Sequence, residues 1–478
     1  MKYKYFIFSY FLLVVLIIVI AGQKKPPNKK QSTKKPNPTR IISKKPTVGL
    51  SIKSSRGTTR VTKKPTVRPS IKPSKATTTT KKTIVKYEIK KWQTPISYFI
   101  SNDFKNKDEA KMKIESVIKE IKENTCIEFN KEDTELTDKR GINFKISNKC
   151  ENMRIGTNTE EKHQNIYLTN DCVKSMRTIR YLLHNALGQL SPVLQNNRDK
   201  YVTINIQNIV ITKRSLFNYN YLPIDKYTEP YDFGSIVHFN STMFSIDGRK
   251  KTIEPIGKYK NFYENMMGRI EEPSFYDYKV LNNYYCKNKC QNIKNCNAPC
   301  YQHPNHCNEC ACPKGYKSEE DFIIYVYGNK TICGYEQIYP TKRLQHLVRS
   351  NINYCFYHIE TFDTLGHVFI RFPDFRGMFL NEKCSWKNSI EVRYKKNLND
   401  QGICLCYHKD IEAPEIVSEG PRMIVIFNFN ISQSYAHFEY MKVDSTDFKY
   451  ESLGKYQKIP RLINEKCNRK FVKDKECI

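Results

Sequence analysis

Aspartate and glutamate are absent from Gly22 to Tyr87, whereas twenty Lys and Arg residues fall in that stretch. More than half of the formal charge of +32 therefore sits in one tract, and the rest of the chain is only moderately basic. Aromatic side chains are almost missing from residues 23–87, where Lys, Pro, Thr and Ser dominate. Such a segment cannot bury enough apolar surface to offset its ordering entropy, which excludes a packed domain there. An imperfect repeat runs through it: Lys44-Lys45-Pro46-Thr47-Val48 returns as Lys63-Lys64-Pro65-Thr66-Val67, and Ser51-Ile52-Lys53 as Ser70-Ile71-Lys72. The expectation is an extended, partly polyproline-like tether over 23–87, with the threonine run 77–80 open to O-glycosylation. Two readings of its charge stand side by side: attraction to acidic glycans or anionic surfaces, and a solvated spacer.

After Ile20 no stretch approaches the ~20 apolar residues needed to span a bilayer. Before it, Lys2 and Lys4 precede the apolar run from Phe6 to Ile20, and Val19-Ile20-Ala21 offers residues for cleavage. That form predicts a signal peptide over residues 1–22. The length of the run and the Lys24-Lys25 pair keep an uncleaved anchor as the alternative. Either way the bulk of the chain goes to the secretory, extracellular side. No cysteine precedes Cys126, yet there are seventeen in all, seven of them from Cys286 to Cys312. In an oxidising compartment that density means disulfides rather than a cytosolic zinc cluster. Each bridge stabilises by about 2–4 kcal/mol, chiefly by restricting the unfolded chain. The odd total leaves one thiol unpaired or paired between chains. Asn240, Asn329 and Asn430 each open a glycosylation sequon.

A chain of 478 residues holds more than one domain. Ordered structure is expected from about Glu88. Pro95 to Ile100 alternates as a strand does, and Ile114, Val117, Ile118 and Ile121 recur at helical spacing after the cap candidates Asn106 and Asp108. Ile142, Phe144 and Ile146 predict another strand. Met176, Ile179, Leu183, Leu187 and Leu190 predict a second helix stopping at Gly188–Pro192, and Tyr201 to Ile206 alternates again. Strands and helices without regular βαβ repetition point to α+β. The crowded cysteines leave no room for a hydrophobic core between them and mark a small disulfide-held module. Past Cys333, Val368–Phe372, Ile390–Tyr394 and Met423–Phe427 are short strands separated by turn residues, as in a β-sandwich. No phosphate-binding loop, nucleophile elbow or nucleic-acid motif occurs, and a basic tether alone does not make nucleic acid a partner.

Four segments occur in a telling order: Trp92 with Pro95-Ile96-Ser97-Tyr98, then Asn124-Thr125-Cys126-Ile127-Glu128-Phe129, then Asn197-Arg198-Asp199-Lys200-Tyr201-Val202, then Tyr231-Asp232-Phe233-Gly234-Ser235-Ile236-Val237-His238-Phe239. Through them, Trp92 to Cys286 resembles the astacin zinc metalloprotease domain, the last segment standing for its Met-turn. The resemblance implies an astacin-like (metzincin) domain over 88–285, with two main helices and a twisted sheet. It also implies Cys126–Cys286 and Cys150–Cys172 disulfides. The cysteine module, 286–332, resembles an EGF-like domain, and its connectivity stays open. Residues 333–443 resemble a CUB domain, Cys355-Phe356-Tyr357-His358-Ile359 standing for Cys-x-Trp-x-Ile. Asn388 and Ser389 stand where an acidic residue often falls, so calcium binding there stays open. A basic tail, 444–478, follows.

Astacins hold zinc with His-Glu-x-x-His-x-x-Gly-x-x-His followed by Glu. Two imidazoles four residues apart share one helix face, the glycine permits a sharp turn, and the third imidazole closes the metal sphere. The zinc brings its bound water from a pKa of about 15.7 to about 7, and the glutamate takes the proton. Aligning Asn185-Ala186-Leu187-Gly188 with the family's His-Ala-Leu-Gly puts Tyr181, Asn185 and Ser191 at the ligand positions. Leu182 takes the general-base position, and Pro192 that of the Glu after the third His. Val237 replaces the Met of the Met-turn and Phe239 its Tyr. His184, one residue from a ligand position, is turned about 100° away on a 3.6-residue helix. Asn and Ser are poor zinc ligands without thiolate or imidazole support. The expectation is a secreted, proteolytically inactive family member with no cofactor, acting as a binding, decoy or scaffold protein. Its expected partners are extracellular proteins or protease inhibitors, through the cleft and the CUB-like part, and acidic glycans through the tether. An active zinc metalloendopeptidase and a basic surface adhesin are the alternatives.

Overall fold

The structure is a computed structural model, and it describes residues 89–157, 162–217, 229–319, 322–376, 385–405, 413–429 and 434–453. The expected signal peptide and tether, Asn430 and most of the expected basic tail lie outside the described residues.

Strand β1 (Ile96–Ile100) leads to helix α1 (Lys107–Asn124). The helix starts where Asn106 accepts a hydrogen bond from the Glu109 amide, and Asp108 and Glu109 place negative charge at its positive end. Ala110, Ile114, Val117, Ile118 and Ile121 form its buried stripe. It stops at Thr125, whose hydroxyl donates to the Ile121 carbonyl at 2.7 Å while its backbone turns extended. Strands β2 (Phe129–Lys131), β3 (Gly141–Ile146), β4 (Glu151–Asn152) and β5 (His163–Leu168) follow. The sheet order is β2-β1-β3-β5-β4, parallel except for the edge strand β4.

Helix α2 (Met176–Ala186) begins at Ser175, whose hydroxyl accepts from the Thr178 amide. It ends before the expected stripe does. Leu187 caps it, and Gly188 then takes a φ of 96°, in the left-handed region that glycine adopts without strain. A Cβ at Gly188 would also lie 3.1 Å from the Ile89 side chain. The reversal separates two residues that periodicity alone joined. Leu187 packs with Ile179 and Leu183 against the first sheet, whereas Leu190 enters a second core with Val193, Leu194 and Val202. The alternation from Tyr201 to Ile206 likewise shrinks to β6 (Val202–Ile204), paired with β7 (Ile253–Pro255), because Ile206–Asn208 closes a 3-10 turn. Helices α3 (Lys260–Met266) and α4 (Phe275–Tyr285) complete this half, the latter started by a capping box between Ser274 and Asp277.

The small module carries the disulfides Cys290–Cys307, Cys296–Cys310 and Cys300–Cys312, a connectivity its spacing left open. It holds two hairpins, β8 (Tyr301–Gln302) with β9 (Cys310–Ala311) and β10 (Tyr316–Ser318) with β11 (Ile323–Tyr325). Its Asn305 amide donates to the carbonyls of Lys122 and Thr125, satisfying orphan acceptors at the end of α1. Beyond the short helix α5 (Lys330–Cys333), nine strands lie among the described residues: β12 (Gln337–Ile338), β13 (Gln345–Ser350), β14 (Tyr354–Glu360), β15 (His367–Arg376), β16 (Ser389–Arg393), β17 (Ile403–Leu405), β18 (Glu415–Val417), β19 (Arg422–Asn428) and β20 (Tyr435–Val443). They form two sheets, β12-β14-β19-β16-β17 and β13-β20-β15-β18. Tyr357, Val425 and Phe427 of one sheet meet Ile370, Phe372 and Phe438 of the other in the interior. The described residues are thus α+β: a domain of helices and a mostly parallel sheet, a disulfide-rich module and a β-sandwich.

One apolar core runs without a break from Leu190–Ile270 into the sandwich. Tyr263 and Tyr394 join their hydroxyls across the boundary at 2.8 Å, and Tyr259 accepts from the Val417 amide at 2.7 Å. Trp386 lies so close to Gly234 that a Cβ there would sit 2.3 Å from its ring. Both halves are therefore held as one unit around the turn that carries Val237 and Phe239.

Candidate functional site

Helix α2, the corner at Gly188 and the turn 231–239 are tied to one another by buried hydrogen bonds, and the side chains at the expected site positions are committed to packing. Leu182 is 2% exposed and lies in the core with Ile179 and Leu183. Tyr181 packs against the same core, and burial pushes its hydroxyl up to about 12, against the pull of nearby Arg177. Asn185 is buried: its amide nitrogen donates to the Gln189 carbonyl at 3.2 Å, and its backbone carbonyl accepts from Gly156 and Gly188. Ser191 is 1% exposed, and its hydroxyl has no hydrogen-bond partner among the described residues.

His184 points the other way and is fully buried. Its Nδ1 lies 2.7 Å from Gln189 Oε1, so Nδ1 carries the proton and donates to the amide oxygen. Burial lowers its basicity and outweighs the opposing pull of the Asp277 charge, so the ring is neutral. The Gln189 amide nitrogen in turn donates to Asp277 at 2.5 Å. Asp277 also accepts from the Ser235 hydroxyl at 2.6 Å, the Ile236 amide at 2.8 Å and the Ser274 amide at 2.7 Å. Arg177 of α2 adds a second tie, donating to the Ile236 carbonyl at 3.3 Å. Asp232, beside this hub, accepts from the Ser274 hydroxyl and the Gly234 amide. Burial, and then the charge on Asp277, raise its pKa to about 8.

Val237 is fully buried and Phe239 5% exposed, in contact with Phe217 and Phe244. Both nitrogens of His238 are engaged: Nε2 accepts from the Tyr231 hydroxyl at 2.9 Å and Nδ1 donates to the Phe239 carbonyl at 2.7 Å. Its pKa falls to about 4 through burial. His163 lies on β5, with Nδ1 3.2 Å from the Thr137 carbonyl. Two disulfides brace the region, Cys126–Cys286 and Cys150–Cys172.

Residues 84–286 match the model of the astacin peptidase family. This region belongs to the astacin family. A zinc metalloproteinase nas-36 from Brugia malayi is 27% identical over 374 residues, covering 73% of this chain and 58% of that protein. The zinc metalloproteinase nas-36 of Caenorhabditis elegans is 32% identical over 244 residues, covering 50% of this chain and 38% of the relative. A solved structure, the medaka hatching enzyme high choriolytic enzyme 1, is 26% identical and covers 41% of this chain and 93% of that one, with a TM-score of 0.35. The chain spans little more than half the length of the longest-matched of these curated relatives.

Within the astacin domain, the hub residues Arg177 and Asp277 lie outside the motifs that the sequence displays, and Gln189 stands at one of the unspecified positions of the zinc motif. A sequence signal existed for one of them, since Ser274 followed by Asp277 is a capping-box spacing. Nothing in the sequence announces that Gln189 joins His184 to it. Of the sequon asparagines, Asn240 and Asn329 are exposed, and Asn329 accepts from the Thr331 amide at 2.9 Å. No helix among the described residues is long and apolar enough to cross a membrane.

Proposed function

We propose that the chain is a secreted, proteolytically inactive astacin-family protein that works by binding, as a decoy or scaffold, through its remaining cleft and its sandwich. The reading rests on one observation: the imidazole of α2, His184, is fully buried and bonded to Gln189 at 2.7 Å. The positions beside it hold Tyr181, Leu182, Asn185 and Ser191, a set too poor in imidazole and carboxylate to activate water on zinc. Without the metal and the base together, no proton-transfer route to a peptide bond is available to these residues. The basic segment 23–87 supplies a second contact, with acidic glycans of a matrix or surface.

The names of the relatives favour a second reading, a zinc metalloendopeptidase. Incubating the purified chain with a quenched peptide library separates the two. No cleavage sensitive to a chelator is expected. Chelator-sensitive turnover that disappears in a Tyr181→Phe or Asn185→Ala variant would defeat the binding reading.

A further inference from the structure

Outside the astacin domain, on the outer face of the sheet β13-β20-β15-β18, the register of two strands gathers a different set of ligands. Strand β13 runs antiparallel to β20 and pairs His346 directly with Glu439. His437 lies two residues before Glu439 on β20 and so projects from the same face. The alternate residues Ala436, Phe438 and Tyr440 fill the interior instead.

The three side chains turn toward one another. His346 Nδ1 is 3.2 Å from His437 Nε2 and 3.7 Å from Glu439 Oε1, and one ligand atom from each lies within 4.8 Å of the others. Donor atoms around a tetrahedral zinc ion, with bonds of about 2.0–2.1 Å, stand about 3.3 Å apart. The two distances from His346 Nδ1 bracket that edge; 3.2 Å also fits a hydrogen bond between the two rings, whereas 3.7 Å is too long for one between imidazole and carboxylate. The second carboxylate oxygen is already held: Arg371 donates to Glu439 Oε2 at 2.9 Å, which leaves Oε1 on the side of His346. Arg371 Nε stands 3.6 Å from Glu415 and its guanidinium 4.2 Å from the Tyr450 ring centroid, so the orienting cation is itself fixed. A hydrogen-bonded carboxylate beside two imidazoles has the outer support that metal ligands require. His437 and Glu439 are buried, while the His346 side chain is 23% exposed and leaves a way in.

We infer that His346, His437 and Glu439 form a binding site for one divalent transition-metal ion of the zinc class, held by the sandwich and separate from the altered site of the astacin domain. Two nitrogens and one oxygen suit zinc rather than calcium or magnesium, which take oxygen ligands. The site stands whether or not the binding reading of the astacin domain holds. It also means that zinc in the purified chain is not by itself a sign of a working peptidase site.

Titration of the full, metal-stripped chain with zinc chloride in a calorimeter tests the site. One zinc per chain is expected. His346→Gln and His437→Gln should each weaken binding by tenfold or more, and Tyr181→Phe should leave it unchanged. His346 is partly exposed, so its variant folds even if the buried His437→Gln does not, and near-ultraviolet dichroism checks this. Absence of zinc uptake by the wild-type chain, wild-type binding by a folded His346→Gln variant, or loss of the ion in Tyr181→Phe instead would each overturn the assignment.

Discussion

Asp232 shows how a single carboxyl becomes an acid-dependent brace. It is buried beside Asp277, and both the loss of water and the neighbouring charge favour its neutral form, taking its pKa to about 8. The unfolded chain gives up this proton near pH 4, so between about pH 4 and 8 the folded state binds more protons. Its contribution is whole below about pH 4 and is lost as pH rises through about 8. Asp232→Asn keeps an acceptor for the Gly234 amide and cannot ionise. From about pH 5 to 7 the wild-type chain should lose roughly 1–3 kcal/mol of stability relative to this variant, given about 1.36 kcal/mol per pKa unit. Urea midpoints of both proteins across that range measure it, and parallel curves would refute the account. The neutral His238, whose pKa lies at about 4, works in the opposite direction, which is why the difference between two proteins is the quantity to follow.

Among the elements, α2 and α4 are joined through a carboxylate that belongs to the start of α4. Asp277 closes the capping box with Ser274, and the same oxygens receive Gln189, Ser235 and Ile236. Removing it leaves several buried donors without an acceptor, each costing about 1–3 kcal/mol. Asp277→Ala should therefore lose more than about 3 kcal/mol in equilibrium unfolding, and Asp277→Asn less. Equal, small losses would mean that water replaces the hub. At this level the periodicity in the sequence was informative for α1, whose five buried residues follow one stripe after Asn106. For α2 it was informative only as far as Ala186, because a pattern of leucines continues past a glycine that turns the backbone. The residues at 181 and 185, which the resemblance assigns to ligand positions, are legible by identity alone. The commitment of His184 to Gln189 was not, because five residues and a reversed chain direction separate them.

The whole molecule is joined across the boundary between the astacin domain and the sandwich by apolar packing and a few buried hydroxyls. Phe233 stacks on Tyr263 with ring centroids 4.1 Å apart, and Tyr263 bonds to Tyr394. Tyr263→Phe should cost about 1–3 kcal/mol, because it strands the buried Tyr394 hydroxyl. Adding Tyr394→Phe should return part of that loss, since removal of both partners leaves nothing unsatisfied. A double-mutant cycle by thermal or urea unfolding measures the coupling, and additive losses would argue against this contact.

The sequence by itself determined the α+β class and which residues stand at 181, 182, 185 and 191, the positions that the resemblance assigns to metal ligands and base. These depend on composition, local period and residue identity. Tertiary structure alone decided which cysteines of the module pair, how the sandwich closes on the turn at Gly234, and that His346, His437 and Glu439 face one another. Those outcomes depend on strand register and on contacts between residues far apart in the chain, which no local pattern encodes.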